Sequence, residues 1–239
     1  MQRVQTLDLA PGRVIGGAYV VESCLGSGWE GEVYKVVERR TGAFRAAKVF
    51  YPQRNPQDRA AGYYARKLEL LRDCPLLLRY HHSESVRYRG LVLTALISEY
   101  VDGVLLEELI ASQPGRRLHV FEALHVLHEL LRGLEPIHAR REYHGDLHPR
   151  NVLVQRRGLR FELKLVDMFD RGRPCAANRR EDLLDSVRLL YDMLGGARRY
   201  RLLRPEIKAI CCGLKRSLVL QRFPTVRHLR EHLENLAWD

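Results

Sequence analysis

The stretch that decides the reading is "YHGDLHPRNVLV", from Tyr143 to Val154. It sets an Asp, a His and an Asn in a loop just ahead of an apolar run of strand character. Phosphoryl transfer needs a carboxylate to orient and accept the proton of an attacking hydroxyl. It also needs oxygen ligands for Mg²⁺, because the charge of the triphosphate must be offset. Asp146 suits the first role. Asn151, a neutral oxygen donor at the far end of the loop, suits the second. Asp167, in "KLVDMFD", ends the strand expected to pair with the one after Asn151. A two-strand hairpin would bring Asn151 and Asp167 together as metal ligands.

Upstream, "LGSGWEGEVYKV" holds Gly26, Gly28 and Gly31 in a G-x-G-x-x-G-x-V pattern. Alone this pattern is weak, and its context decides which phosphate loop it could be. In a dinucleotide-binding unit a helix follows; here "EVYKVV" reads as a strand. A strand–glycine loop–strand hairpin suits a flap over a nucleotide, because absent side chains let backbone N–H groups approach phosphate. Lys48, in "RAAKVF" on the next expected strand, could reach the phosphates under that flap. Trp29 and Glu30 at the loop tip are unusual, since an acid beside a triphosphate is unfavourable unless it points away.

The rest of the chain gives these motifs a frame. Residues 1–17 read as an irregular lead-in. "AYVVESCL", "EVYKVVER" and "AFRAAKVF" read as an antiparallel meander, and "SVRYRGLVLTALISEY" as two more strands around Gly90. Residues from about Asp58 to Arg72 read as a helix, with Tyr64, Leu68 and Leu71 on one face. Leu105–Ile110 and Val120–Ala139 read as helices, the second interrupted late by Pro136. "NVLV" and "FELKLVD" read as short strands joined by "QRRG", and the chain from Glu181 onward as two or three helices. The expectation is a lead-in (1–17), a front lobe (18–100) with the glycine loop, five strands and one helix, and a mainly helical back lobe (101–239).

Composition narrows the setting. Hydrophobic residues make up 46% and charged residues 29%, which argues against disorder. The net charge of +11, from 40 Lys+Arg against 29 Asp+Glu, favours anionic partners. No nucleic-acid motif surrounds the basic "ARRYRLLR", so nucleic acid is not an expected partner. The five cysteines show neither a disulfide framework nor zinc spacing, which fits a reducing cytoplasm. The start lacks the apolar core of a signal peptide, and "LVLTALI" is far too short to span a bilayer. A soluble cytoplasmic protein is expected. His81, His82, His119, His125 and His128 show no converging ligand pattern.

Taken together, the glycine loop, "AAK", "SEYVDG", "HGDLHPRN" and "VDMF" occur in an order that resembles the protein-kinase-like phosphotransferase superfamily over nearly the whole chain. The resemblance implies an α+β, two-lobed protein-kinase-like fold that uses ATP and Mg²⁺. It implies that Lys48 holds the α- and β-phosphates, Asp146 is the base, and Asn151 and Asp167 bind Mg²⁺. The backbone of Glu99 and Val101 would meet adenine, with Val33, Ala46 and Leu153 around the base and Gly26, Gly28 and Gly31 over the phosphates. Asp182 resembles the buried Asp of a central helix that braces the catalytic loop. Glu69, the acid well inside the first helix, is the candidate partner of Lys48.

Four departures matter. The family's His-Arg-Asp is His144-Gly145-Asp146, so an arginine that would read a phosphorylated loop is missing. The Lys two positions past the catalytic Asp is His148, which could still contact phosphate, and "HGDLH" is closer to small-molecule kinases. Asp-Phe-Gly is Asp167-Met168-Phe169. Only Met168–Glu181 separates Asp167 from Asp182, with no Ala-Pro-Glu segment to build a peptide platform. The expected activity is phosphoryl transfer to an alcohol, Ser/Thr protein-kinase-like, with a small-molecule or glycan kinase and a nucleotide-binding pseudokinase scaffold as alternatives.

Overall fold

The computed structural model describes residues 3–158 and 160–237. The chain divides into two units. One holds the chain up to Asp73 together with Leu77–Val101; the other holds Cys74–Leu76 and the chain from Asp102 onward. This is the α+β pairing of a sheet unit and a helical unit.

The first unit is a six-stranded antiparallel sheet with one helix. Its strands are β1 (Val14–Ile15), β2 (Tyr19–Ser27), β3 (Gly31–Glu38), β4 (Phe44–Phe50), β5 (Tyr80–Tyr88) and β6 (Leu91–Glu99), in the order β1-β2-β3-β4-β6-β5. The sheet therefore has one strand more than the sequence suggested, because Val14 and Ile15 pair with Val20 and Tyr19. Alternation sets the faces: Tyr34, Val36, Ala47, Val49 and Ile97 are all fully buried in one core cluster. The helix α1 (Arg59–Leu70) buries Ala61, Tyr64 and Lys67, one residue per helical turn.

The described part of the lead-in is irregular as expected up to Arg13, yet it is packed into the sheet. Val4, Leu7 and Leu9 are buried in the same core cluster as β3 and β4. Full burial of such side chains contributes about 1.5–3 kcal/mol each. A buried carboxylate fastens the segment: Glu32, only 3% exposed, accepts from Leu7 N at 2.7 Å, Asp8 N at 3.1 Å, Tyr51 OH at 3.0 Å, and Tyr34 OH. Burial alone would raise the Glu32 carboxyl, but these donors outweigh it and hold the group below its ordinary value. The same contacts, with burial, push the Tyr51 hydroxyl up to about 12.

The second unit is mainly helical. It contains β7 (Val104–Leu105), α2 (Leu106–Ser112), α3 (Val120–Ala139), the hairpin β8 (Val152–Arg157) and β9 (Arg160–Leu165), then α4 (Ala176–Met193), α5 (Pro205–Cys211), α6 (Arg216–Arg222) and α7 (Val226–Glu234). The first expected short strand is longer, with Gln155–Arg157 inside β8 rather than in the turn, and the second starts one residue early and ends at Leu165, before Val166 and Asp167. The helical region begins earlier too, at Ala176. Helix α3 is the axis of the unit: Leu127, Leu130, Leu131, Leu134 and Ile137 are all at most 1% exposed. It packs against α4, α7 and β9. Among the described residues no helix is long and apolar enough to cross a membrane.

Replacing Glu32 by Gln should cost about 1–3 kcal/mol, the scale of hydrogen bonds to a charged group. Amide exchange at Leu7 and Leu9 should accelerate while Val36 and Val49 stay protected. Unchanged protection at Leu7 would show that apolar burial alone holds the lead-in. Because the folded group titrates low, its stabilisation is present above the unfolded carboxyl value of about 4.3 and is lost as pH falls through the lower folded value.

Candidate active site

The loop between α3 and β8 is built around one carboxylate. Asp182 lies on α4, fully buried, and accepts from His144 N at 2.8 Å, Gly145 N at 2.8 Å and His138 Nε2 at 2.9 Å. Burial would raise its carboxyl; the His138 hydrogen bond, the electrostatics of the neighbouring imidazoles and the Gly145 amide bring it below the ordinary range. Two successive backbone amides are thus aimed at one anion, which fixes the turn at residues 144–145.

Within that turn His144 is itself locked. Its Nδ1 accepts from Asp146 N at 3.3 Å, so the proton stands on Nε2, which donates to Val166 O at 3.0 Å. Gly145 has φ +88°, and a Cβ there would sit 2.8 Å from Phe169 O and 2.9 Å from the Tyr143 ring. Local geometry therefore requires glycine where the family pattern has arginine.

The loop brings the expected residues together. Asn151 Nδ2 donates to Asp146 Oδ2 at 3.0 Å and to Asp146 O at 2.9 Å, which leaves the Asn151 Oδ1 as an acceptor. His148 Nε2 stands 3.4 Å from Asp146 Oδ2, and its Nδ1 accepts from Arg150 N at 3.2 Å. The β8–β9 hairpin pairs Val152 with Leu165, and Val166 N donates to Asn151 O at 3.0 Å. Asp167, with φ +54°, follows at once, so the hairpin sets it beside the Asn151 end of the loop. Leu153 stands on β8, opposite Leu105.

In the sheet unit, Gly26 and Gly31 lie on β2 and β3, and Gly28 N donates to Gly31 O at 2.8 Å to close the hairpin. Val33 pairs with Lys48 and Lys35 with Ala46, so Val33, Ala46 and Lys48 share one face. Glu99 ends β6 and exchanges hydrogen bonds with Arg79; Val101 follows outside the strand. Glu69 departs from its expected place. Its side chain is 55% exposed and pairs with Arg72 one turn along. A carboxylate that does meet Lys48 is Glu30, at 2.8 Å.

Three residues that the sequence did not single out shape the loop. Tyr143 is fully buried; its hydroxyl donates to Gly172 O at 2.9 Å and accepts from Arg171 N at 2.8 Å. Arg171 Nε donates to Gly145 O at 2.7 Å, and Phe169 N to His144 O at 3.1 Å. Asp185, one turn after Asp182, is pushed up to about 6 by burial and the Asp182 charge, against the pull of Arg171; Glu181 and Asp146 add to the rise. The Asp182–Asp185 spacing was the one sequence signal for it.

The family model of the protein kinase domain matches residues 19–186. This chain belongs to the protein kinase family. It is 29% identical over 147 residues to the human dual specificity testis-specific protein kinase 1, covering 60% of this chain and 21% of that protein. It is 33% identical over 156 residues to a putative cyclin-dependent kinase F-2 of rice, covering 64% of this chain and 46% of that one. To the serine/threonine-protein kinase PkaA of Streptomyces coelicolor it is 30% identical over 164 residues, covering 65% of this chain and 30% of that protein. The chain thus spans less than half the length of these curated relatives. In fold it is similar to the PknI kinase domain of Mycobacterium tuberculosis, with a TM-score of 0.69 at 22% identity, covering 96% of this chain and all of that one.

Two substitutions read the carboxylates of α4 apart. Asp182→Ala should cost about 3–5 kcal/mol, because it strands buried donors around His144. Asp185→Asn should stabilise at neutral pH. The raised Asp185 value means its favourable contribution is complete below the unfolded value of about 3.9 and is lost as pH rises through about 6. Allowing for the partial solvation of this half-buried group, the gain at pH 7.5 should be about 1 kcal/mol, or about 2–4 °C in Tm. It should vanish near pH 4; a variant with no gain at pH 7.5 would show that Arg171 already neutralises the site.

Proposed function

We propose that this chain transfers the γ-phosphate of ATP, with Mg²⁺, to a hydroxyl group of a protein Ser or Thr. The observation that carries the reading is the Asp146–Asn151 pair. Asn151 holds the Asp146 carboxylate with its amide and keeps a carbonyl oxygen available. Asp146 is then oriented to accept the proton of an attacking hydroxyl.

The remaining donors fit the cofactors the family uses. Asn151 Oδ1 and the Asp167 carboxylate would hold Mg²⁺; two oxygen ligands suit an ion that keeps its waters and takes phosphate oxygens as well. When bound, Mg-ATP supplies the phosphoryl group and the charge neutralisation of its transfer. The sheet unit by itself offers Lys48 for the α- and β-phosphates, the hairpin of Gly26, Gly28 and Gly31 for the phosphates, and Val33, Ala46 and the backbone of Glu99 and Val101 for the adenine. His148, beside Asp146, would contact phosphate as the family's lysine does.

The names of the curated relatives support a protein acceptor. A small-molecule acceptor is favoured by one observation: α4 begins at Ala176, so little chain after Asp167 remains to build a peptide platform. Labelled Mg-ATP incubated with host-cell extract separates these. Asp146→Asn should lower transfer by about 10²–10⁴-fold, the usual contribution of general base catalysis, with ATP binding retained. Asp146-dependent label in protein supports the proposal; the same label in small molecules moves the acceptor to a metabolite. ATP binding with no Asp146-dependent transfer in either fraction would make the chain a nucleotide-binding scaffold.

A further inference from the structure

Lys48 Nζ lies 2.8 Å from Glu30 Oε2, 4.3 Å from the centroid of the Tyr64 ring and 5.2 Å from that of Phe50. Tyr64 OH donates to the same Glu30 oxygen at 2.9 Å. The lysine and glutamate side chains are 16% and 24% exposed, so the pair is shielded from most of the solvent. Charge-assisted hydrogen bonds of this kind are short and strong.

Glu30 is not at the end of a loose flap. Its carbonyl accepts from Tyr51 N at 2.8 Å, one rung beyond the Gly31–Phe50 pair, so the β3–β4 ladder runs through it. The ladder can close there because Gly31 has no side chain; a Cβ would sit 2.1 Å from Val49 O. A fixed backbone at one end and the Tyr64 hydroxyl at the other leave the carboxylate little freedom. The acid of α1, Glu69, faces solvent, and the helix turns the Tyr64 ring toward Lys48 instead.

We propose that Glu30, at the tip of the glycine hairpin, is the positioning residue for Lys48, held in place by Tyr64. The inference rests on the reading of Lys48 as the phosphate-binding cation. Its consequence is that the hairpin and the lysine form one unit, and α1 meets that unit through the Tyr64 ring and hydroxyl. Where a helix carries the acid, movement of the helix makes or breaks the ion pair; here the pair is built into the strand end.

The test uses the full chain and compares wild type with Glu30→Gln, Glu30→Asp, Tyr64→Phe, Glu69→Gln and the double variant Glu30→Gln/Tyr64→Glu. Turnover of Mg-ATP is resolved into kcat and KM, and Mg-ADP affinity is measured at equilibrium. Glu30→Gln should lower kcat by about 10²-fold, the scale of a misplaced catalytic group. Glu30→Asp and Tyr64→Phe should lose less, and Glu69→Gln should stay within about two-fold of wild type. Moving the carboxylate to position 64 should recover at least about ten-fold over Glu30→Gln, a rescue that a merely structural role would not give. Wild-type turnover in Glu30→Gln would overturn the proposal. So would tighter Mg-ADP binding with unchanged kcat, which would make Glu30 a competitor for the phosphate site. A wild-type chain without any turnover defeats the phosphotransferase reading alone. The proposal is then decided by Mg-ADP affinity, where Glu30→Gln and Lys48→Met must be non-additive; additive effects would overturn it.

Discussion

The loop between α3 and β8 depends on a buried anion that has to be satisfied. Asp182 is fully buried, and an ionised carboxylate in such a place is tolerated only when donors surround it. The donors are the amides of His144 and Gly145 and the ring of His138. Satisfying the charge therefore dictates the backbone two residues ahead of Asp146. Everything downstream inherits that placement: the His144 tautomer, the Asp146 amide it receives, and the Asn151 bridge. The candidate groups range from buried Asn151 through half-buried Asp146 to exposed Asp167, but the loop that carries the first two is set by a group that solvent never reaches.

The sheet unit applies the same rule with different partners. Glu32 collects backbone and tyrosine donors and so binds the lead-in to β3 and β4. Tyr51 joins this network through its hydroxyl, and through its amide it holds Glu30. Two carboxylates two residues apart, Glu32 on β3 and Glu30 just ahead of it, thus do separate work. One closes the back of the sheet, and the other faces the lysine. Their separation follows from the end of the strand, where the ladder continues past Gly31 but the alternation of faces relaxes.

Much of this was legible in the residues. Alternation and turn chemistry located the five main strands and α1, and the loop motif placed Asp146, Asn151 and Asp167 because a hairpin has few ways to join them. The misses have physical causes. The packing of the irregular lead-in was not legible because it comes from long-range bonds to Glu32, which no local period records. β1 is too short to show alternation. Glu69 was chosen by its place within the helix, yet partnership is decided by which side of the helix faces β4, and that side carries Tyr64. Glu30 stood out in the sequence only as an oddity, since its reach to Lys48 depends on one extra rung of the ladder.

The glycine at 145 ties the departures from the family pattern into one arrangement. In the family an arginine there reads a phosphate on the segment after the metal-binding Asp. Here the backbone at 145 is left-handed and packed against Phe169 and Tyr143, so no longer side chain fits. The segment is instead fastened from its own side. Arg171 reaches back to Gly145 O, and Tyr143 takes Arg171 N while giving its proton to Gly172 O. These are backbone-directed bonds between neutral or permanently charged groups, so none of them waits for a modification. The loss of the arginine, the missing length and the buried tyrosine are therefore parts of one arrangement, in which the loop ahead of Asp146 is fastened by bonds within the fold.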